Sequence, residues 1–229
     1  MSRSSSIALA SPKLRRRPVP GASDADLRPH PGRRLSERAF LDWVGEKTRA
    51  EWVDGEVIVM APVGDSHADL NLFLGAVLRQ FVEHHDLGEI RGPETMVRLK
   101  IGGKVERRLP DLLFVAAARA AAIKPTFVDG PPDLIVEIVS PGSVDHDWRD
   151  KYFDYEAAGV GEYVVVDRAS EKVKAYALGR RSKQFEPVEP DADGRLRSKA
   201  VKGFYLRPQW LLGPRPPKVA TVLRELGVR

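Results

Sequence analysis

The stretch Asp133 to Ser140, D-L-I-V-E-I-V-S, sets Glu137 in the middle of an otherwise apolar, largely β-branched run. Pro131-Pro132 precede it and Ser140-Pro141-Gly142 follow, so its length and composition read as a short strand buried on both faces. An ionised carboxylate is costly in such a place. Glu137 therefore needs a cation, a hydrogen-bond network or an opening to solvent, or else it must take up a proton.

The chain around it suits a sizeable core: 229 residues, of which 42% are hydrophobic. With no cysteine, disulfides, thiolate nucleophiles and Cys-ligated zinc are excluded, and any metal must be held by oxygen or imidazole. The net charge of +5 is uneven, because residues 1 to 34 carry eight Lys/Arg against two Asp, or +6, and leave the remainder near neutral at −1. That Ser-, Pro-, Gly- and Arg-rich opening reads as a disordered basic tail, either simply solvated or able to touch nucleic acid. Its apolar patch is too short for a signal-peptide core and no later run approaches membrane-spanning length, so a soluble, cytoplasmic protein without membrane contact is expected.

Ser36 and the following E-R-A-F-L-D-W-V predict a capped helix to about Thr48. Glu51 to Val53 and Glu56 to Met60, joined by Asp54-Gly55, predict a hairpin with a primed turn. From Asp65 to His85, Leu70, Phe73, Leu74, Val77, Leu78 and Phe81 recur at the spacing of one helix face. Glu94 to Ile101 and Lys104 to Leu109 form a second hairpin across Gly102-Gly103, and Asp111 to Val115 is a further strand. Ala-rich 116 to 123 suggests a helical turn. Asp145 to Ala158 reads as a helix striped by Trp148, Tyr152 and Tyr155, and Glu162 to Val166 with Lys172 to Leu178 as a third hairpin. Short strands are expected near Phe185, Ala200 and Phe204, and a last helix through Val219 to Leu226. The economical architecture is one α/β domain over residues 35 to 229, with a central mixed β-sheet flanked by helices.

No phosphate loop of the G-x-x-x-x-G-K-[ST] type, H-E-x-x-H helix or G-x-S-x-G elbow is present. What remains is carboxylates in or beside strands: Glu51, Asp111 after Pro110, and Glu137. Asp111 and Glu137 on neighbouring strands would set two carboxylates side by side, the oxygen donor set that Mg²⁺ or Mn²⁺ prefers. A lysine would complete a phosphodiesterase site. Residue 139 shares the strand face with Glu137 but is Val139, so the nearest candidate is Lys151, one helical turn after Asp147 and one before Tyr155.

P-D-L-L-F-V, P-D-L-I-V-E-I-V-S-P-G-S and D-W-R-D-K-Y-F-D-Y-E-A-A-G-V-G-E-Y together resemble the Uma family of restriction-endonuclease-like proteins, a branch of the PD-(D/E)XK nuclease superfamily. E-W-V-D-G-E-V-I-V-M-A-P followed by His67 resembles the start of that family, and the likeness runs from about Ser36 to Leu206. It implies a restriction-endonuclease-like fold and a magnesium site of Asp111 and Glu137 helped by Glu51. It also implies a catalytic lysine, Lys151, displaced from the strand onto the helix, DNA as substrate, and a tendency to form homodimers. Gly142 and Val164 stand where a Ser and a Trp are common.

Each residue also has a structural reading. Glu137 could pair with an arginine, Asp111 could cap a turn, and Lys151 could form an exposed helix pair with Asp147. Glu51 is either a metal ligand or a surface hairpin residue, His67 a capping or packing residue that could approach the site, and Tyr155 a core side chain whose hydroxyl could support Lys151 or Glu137. The function expected is a Mg²⁺-dependent endonuclease. The alternatives are a catalytically silent nucleic-acid-binding or interaction module of the same fold, or a hydrolase of a small phosphorylated molecule.

Overall fold

The computed structural model describes residues 34–45, 48–139 and 147–228, without the side chains of Asp147 and Trp148. Residues 1 to 33 of the basic tail lie outside the described residues, as do the side chains of Asp147, expected beside Lys151, and Trp148.

The first helix, α1 (Glu37–Val44), starts where the Ser36 hydroxyl accepts from the Ala39 amide at 3.2 Å, and stops before Thr48 because Gly45 takes a φ of 55°. Strands β1 (Ala50–Val53) and β2 (Glu56–Val59) are joined by Asp54 and Gly55, both at positive φ as a primed turn requires. Helix α2 (Asp65–His84) follows, then β3 (Gly88–Arg91), β4 (Met96–Ile101), β5 (Lys104–Arg108) and β6 (Leu112–Ala116). A 3₁₀ turn (Ala117–Ala122) takes the place of the Ala-rich helical turn, followed by β7 (Phe127–Asp129) and β8 (Leu134–Ile138). Helix α3 (Asp147–Ala158) leads into β9 (Glu162–Asp167), β10 (Lys172–Leu178) and β11 (Phe185–Pro187). The chain closes with β12 (Leu196–Arg197), β13 (Tyr205–Leu206), α4 (Pro208–Leu212) and α5 (Val219–Glu225). No helix among the described residues is long and apolar enough to cross a membrane.

The architecture is mixed α/β, but the expected central sheet is divided in two. One sheet runs β2-β1-β5-β4-β7 and the other β11-β10-β9-β8-β6-β3, with a small third pair of β12 and β13. Each large sheet is mixed through one parallel pair, β4 with β7 and β8 with β9. The chain passes from the first sheet to the second through Leu109-Pro110-Asp111, where Pro110 has no N–H to continue a ladder.

Alternation along β6, β8 and β9 separates two cores. Leu112, Phe114, Leu134, Val136, Ile138, Val164 and Val166 pack with Leu70, Phe73, Leu74, Val77, Leu78 and Phe81 of α2. Leu113, Val115, Ile135, Tyr163 and Val165 face the other way and pack with Tyr155 of α3. By the same period of two, Asp111 shares the α3 side with Leu113, and Glu137 shares it with Ile135.

Candidate active site

β8 lies between β6 and β9 and every residue in it is buried, so Glu137 occupies a central strand. β6 and β8 are antiparallel, with Leu112 opposite Val136; one step further along that register sets Asp111 opposite Glu137. Directly opposed residues have Cβ atoms about 4.5–5.5 Å apart, so the two carboxylates are neighbours. Asp111 is held from both sides: its Oδ2 accepts from the Ile138 amide at 2.8 Å, and its Oδ1 lies 3.0 Å from His67 Nε2. His67 thus leaves the first turn of α2 to meet the start of β6.

Lys151 and Tyr155 lie one turn apart on α3, and both reach Glu137. The Tyr155 hydroxyl donates to Glu137 Oε1 at 2.7 Å, and Lys151 Nζ is 3.3 Å from the same oxygen. Lys151 Nζ is also 3.5 Å from Glu51 Oε1, so the ammonium bridges a carboxylate of the first sheet and one of the second. Lys151 is only 4% exposed, so it is a buried residue of α3 rather than a solvated one.

Glu51 is buried rather than a surface hairpin residue. Its Oε2 accepts from Arg108 at 2.9 Å and its Oε1 from the Leu109 amide at 3.0 Å. Burial by itself raises a carboxyl pKa, but Lys151, Arg108 and the Leu109 N–H together outweigh it and hold Glu51 below the usual carboxylate range. Glu137 goes the other way. Burial, with the negative charges of Asp111 and Glu51, outweighs Lys151 and the Tyr155 hydroxyl and pushes it up to about 8. One glutamate is kept ionised and the other tends to hold a proton, a separation typical of working carboxylate pairs.

Arg108 and Asp154 were not singled out in the sequence. Arg108, 3% exposed, binds Glu51 with one guanidinium nitrogen and Asp154 of α3 with the other, so it ties the helix carrying Lys151 to the end of β5. A charged residue within the hairpin strand Lys104 to Leu109 was the available signal.

Among the described residues no group of three or more His, Asp or Glu side chains is arranged to hold a metal ion. Of the three expected ligands, Glu51 has both oxygens engaged by Arg108, the Leu109 amide and Lys151. Asp111 and Glu137 alone still fit a hard cation. Burial, with the negative charges of Asp111 and Glu51, raises the Glu137 carboxyl, and a cation between Asp111 and Glu137 would relieve that repulsion.

Mixed sheets flanked by helices, with these carboxylates at the centre, define a restriction-endonuclease-like α/β protein. The chain belongs to the Uma2 family, described as "Putative restriction endonuclease", whose sequence pattern matches residues 38–209. It is similar to a solved structure described as a "putative nuclease belonging to DUF820" from Anabaena variabilis, with a TM-score of 0.61 and 17% identity over 76% of this chain and 96% of that one. At that identity the likeness shows the fold alone. Comparison with curated proteins gives no match.

Proposed function

We propose that the protein is a divalent-metal-dependent endonuclease that hydrolyses phosphodiester bonds of DNA at the Asp111–Glu137–Lys151 constellation. The observation that carries this reading is convergence: Lys151 comes within 3.3 Å of Glu137 although it is on a helix, and Asp111, directly before the adjoining strand β6, continues that strand's register to the position opposite Glu137. Asp111 and Glu137 would hold Mg²⁺ or Mn²⁺, which when bound stabilises charge on phosphate oxygens and lowers the pKa of water.

The remaining roles belong to the chain itself. Lys151 presents its ammonium beside Glu137, where it orients the attacking water or neutralises a phosphate oxygen. Glu51 fixes that ammonium from behind, and Arg108 keeps Glu51 ionised and α3 in place. Tyr155 orients Glu137, while His67 and the Ile138 amide orient Asp111.

Supercoiled plasmid DNA incubated with the protein in Mg²⁺ tests the proposal. Nicking or linearisation that EDTA stops, and that falls roughly 100-fold or more in Glu137→Gln, is expected. Equal cleavage by Glu137→Gln refutes the site. DNA binding without cleavage, together with no Mn²⁺ binding by calorimetry, would instead identify a silent module.

A further inference from the structure

Beside Asp111 opens a cleft of about 530 Å³ that the chemistry above does not use. Asp111, Leu112, His67 and Asn71 border it at the carboxylate end; Ala68, Leu72 and Ala76 of α2 form one wall, and Ile90 with the Gly92-Pro93-Glu94 turn the other. We propose that this cleft takes one unpaired nucleotide of the substrate through an exocyclic amine on its base, so that the site acts on single-stranded nucleic acid. The proposal rests on the phosphodiester reading for the class of ligand.

Size is the first argument. The volume is in the range of clefts that enclose one small organic molecule, and a base enters a concave site only after it leaves its stack and its pair. The space exists because α2 carries small residues, Ala68 and Ala76, where larger ones would fill it. Chemistry is the second. Leu72, at 74% the most exposed large apolar side chain among the described residues, and Val63, at 40%, both border the cleft and offer flat apolar cover to a base.

The base edge meets Asn71, one turn after His67 on α2. Its Nδ2 is 3.5 Å from the Asp111 carbonyl, a marginal hydrogen bond, and its Oδ1 is buried with no hydrogen-bond partner among the described residues. The terminal amide torsion is soft, so a turn of the amide brings Oδ1 to the lumen as an acceptor. Adenine, cytosine and guanine carry an exocyclic amine that satisfies it; thymine and uracil offer only the ring N3–H, flanked by two carbonyl oxygens that repel an approaching amide oxygen. Arg49 and Arg79, which also line the cleft, pair with Glu94 and Glu83 at 3.0 and 2.8 Å, and both glutamates are exposed, so backbone phosphates can replace them.

Fluorescence anisotropy of the full chain in EDTA, with labelled oligo-dC and oligo-dT of equal length, reads the preference without turnover. Binding of dC about five- to tenfold tighter than dT is expected, the factor one net hydrogen bond supplies. The ratio should fall to within about twofold in Asn71→Leu and in Ala76→Phe, and should vanish when each strand is annealed to its complement. Mn²⁺ calorimetry on both variants reports whether the fold and the carboxylates are intact. Equal binding of dC and dT by the wild type, or a ratio unchanged in both folded variants, overturns the cleft assignment even if the protein cleaves DNA. A cytosine preference without cleavage of any nucleic acid would leave the cleft standing and remove the nuclease reading.

Discussion

Replacing Glu137 by glutamine should change the pH dependence of stability in a direction opposite to that of ordinary salt-bridged carboxylates. In the native protein the Glu137 carboxyl is pushed up to about 8 from an ordinary value of 4.5, burial being the largest cause. The folded state therefore binds this proton more tightly than the unfolded chain, and the contribution is complete only below about pH 4.5 and is lost as pH rises towards 8. A separation of about 3.5 pH units corresponds to about 5 kcal/mol, of which about 2 is gone by pH 6 and about 3 more disappears between pH 6 and 9. The substituted amide has no proton to lose. Urea denaturation in EDTA across pH 6 to 9 should thus show Glu137→Gln gaining about 3 kcal/mol relative to the wild type over that interval. A constant difference between the two proteins would refute the buried, proton-holding state of Glu137 and with it the argument that Asp111 and Glu137 crowd one another.

The same proton must leave when a cation binds, so Mn²⁺ affinity measured by calorimetry should rise about tenfold per pH unit between pH 6 and 8 and level off above. Lys151→Met should lower DNA cleavage roughly 100-fold or more while Mn²⁺ still binds, a split visible by running both assays on one preparation. Arg108→Met should destabilise the protein by about 3–5 kcal/mol in urea titrations, because it leaves Glu51 buried without its closest cation. Tyr155→Phe removes a hydrogen bond that favours ionised Glu137, so the pH at which metal-free stability declines should move upward.

The carboxylate pair was legible because it depends on short-range rules. Pro110-Asp111 opens one apolar run and Glu137 interrupts another, and alternation with a period of two puts them on one face once the strands are neighbours. Two of the three hairpins were legible for the same reason: Asp54-Gly55 and Gly102-Gly103 supply the positive φ angles of tight turns. Partition of the strands between two sheets depends on which hydrogen-bond edges meet in space: Pro110 marks a break in the ladder between Lys104 and Val115, but not that the strand after it joins a different sheet. Strands β3 and β7 escaped because they are short and each buries a single side chain, Ile90 and Val128.

Lys151 marks the boundary between the two kinds of information. Its place one turn before Tyr155 follows from helical spacing, but its reach to both Glu51 and Glu137 depends on how α3 crosses the junction of the sheets. That crossing is fixed by Arg108 clasping Asp154, a long-range ion pair that no local pattern predicts. The cleft is of the same kind, since Ala68 and Ala76 read as ordinary helix formers until the opposite wall is known.

A crystal soaked in Mn²⁺ at pH 8 and measured at the manganese absorption edge tests the central claim most directly. An anomalous peak between the carboxylates of Asp111 and Glu137, absent from Glu137→Gln crystals soaked in the same way, is the result predicted. Anomalous density elsewhere with none between those two side chains, at Mn²⁺ concentrations that support DNA cleavage, would contradict it.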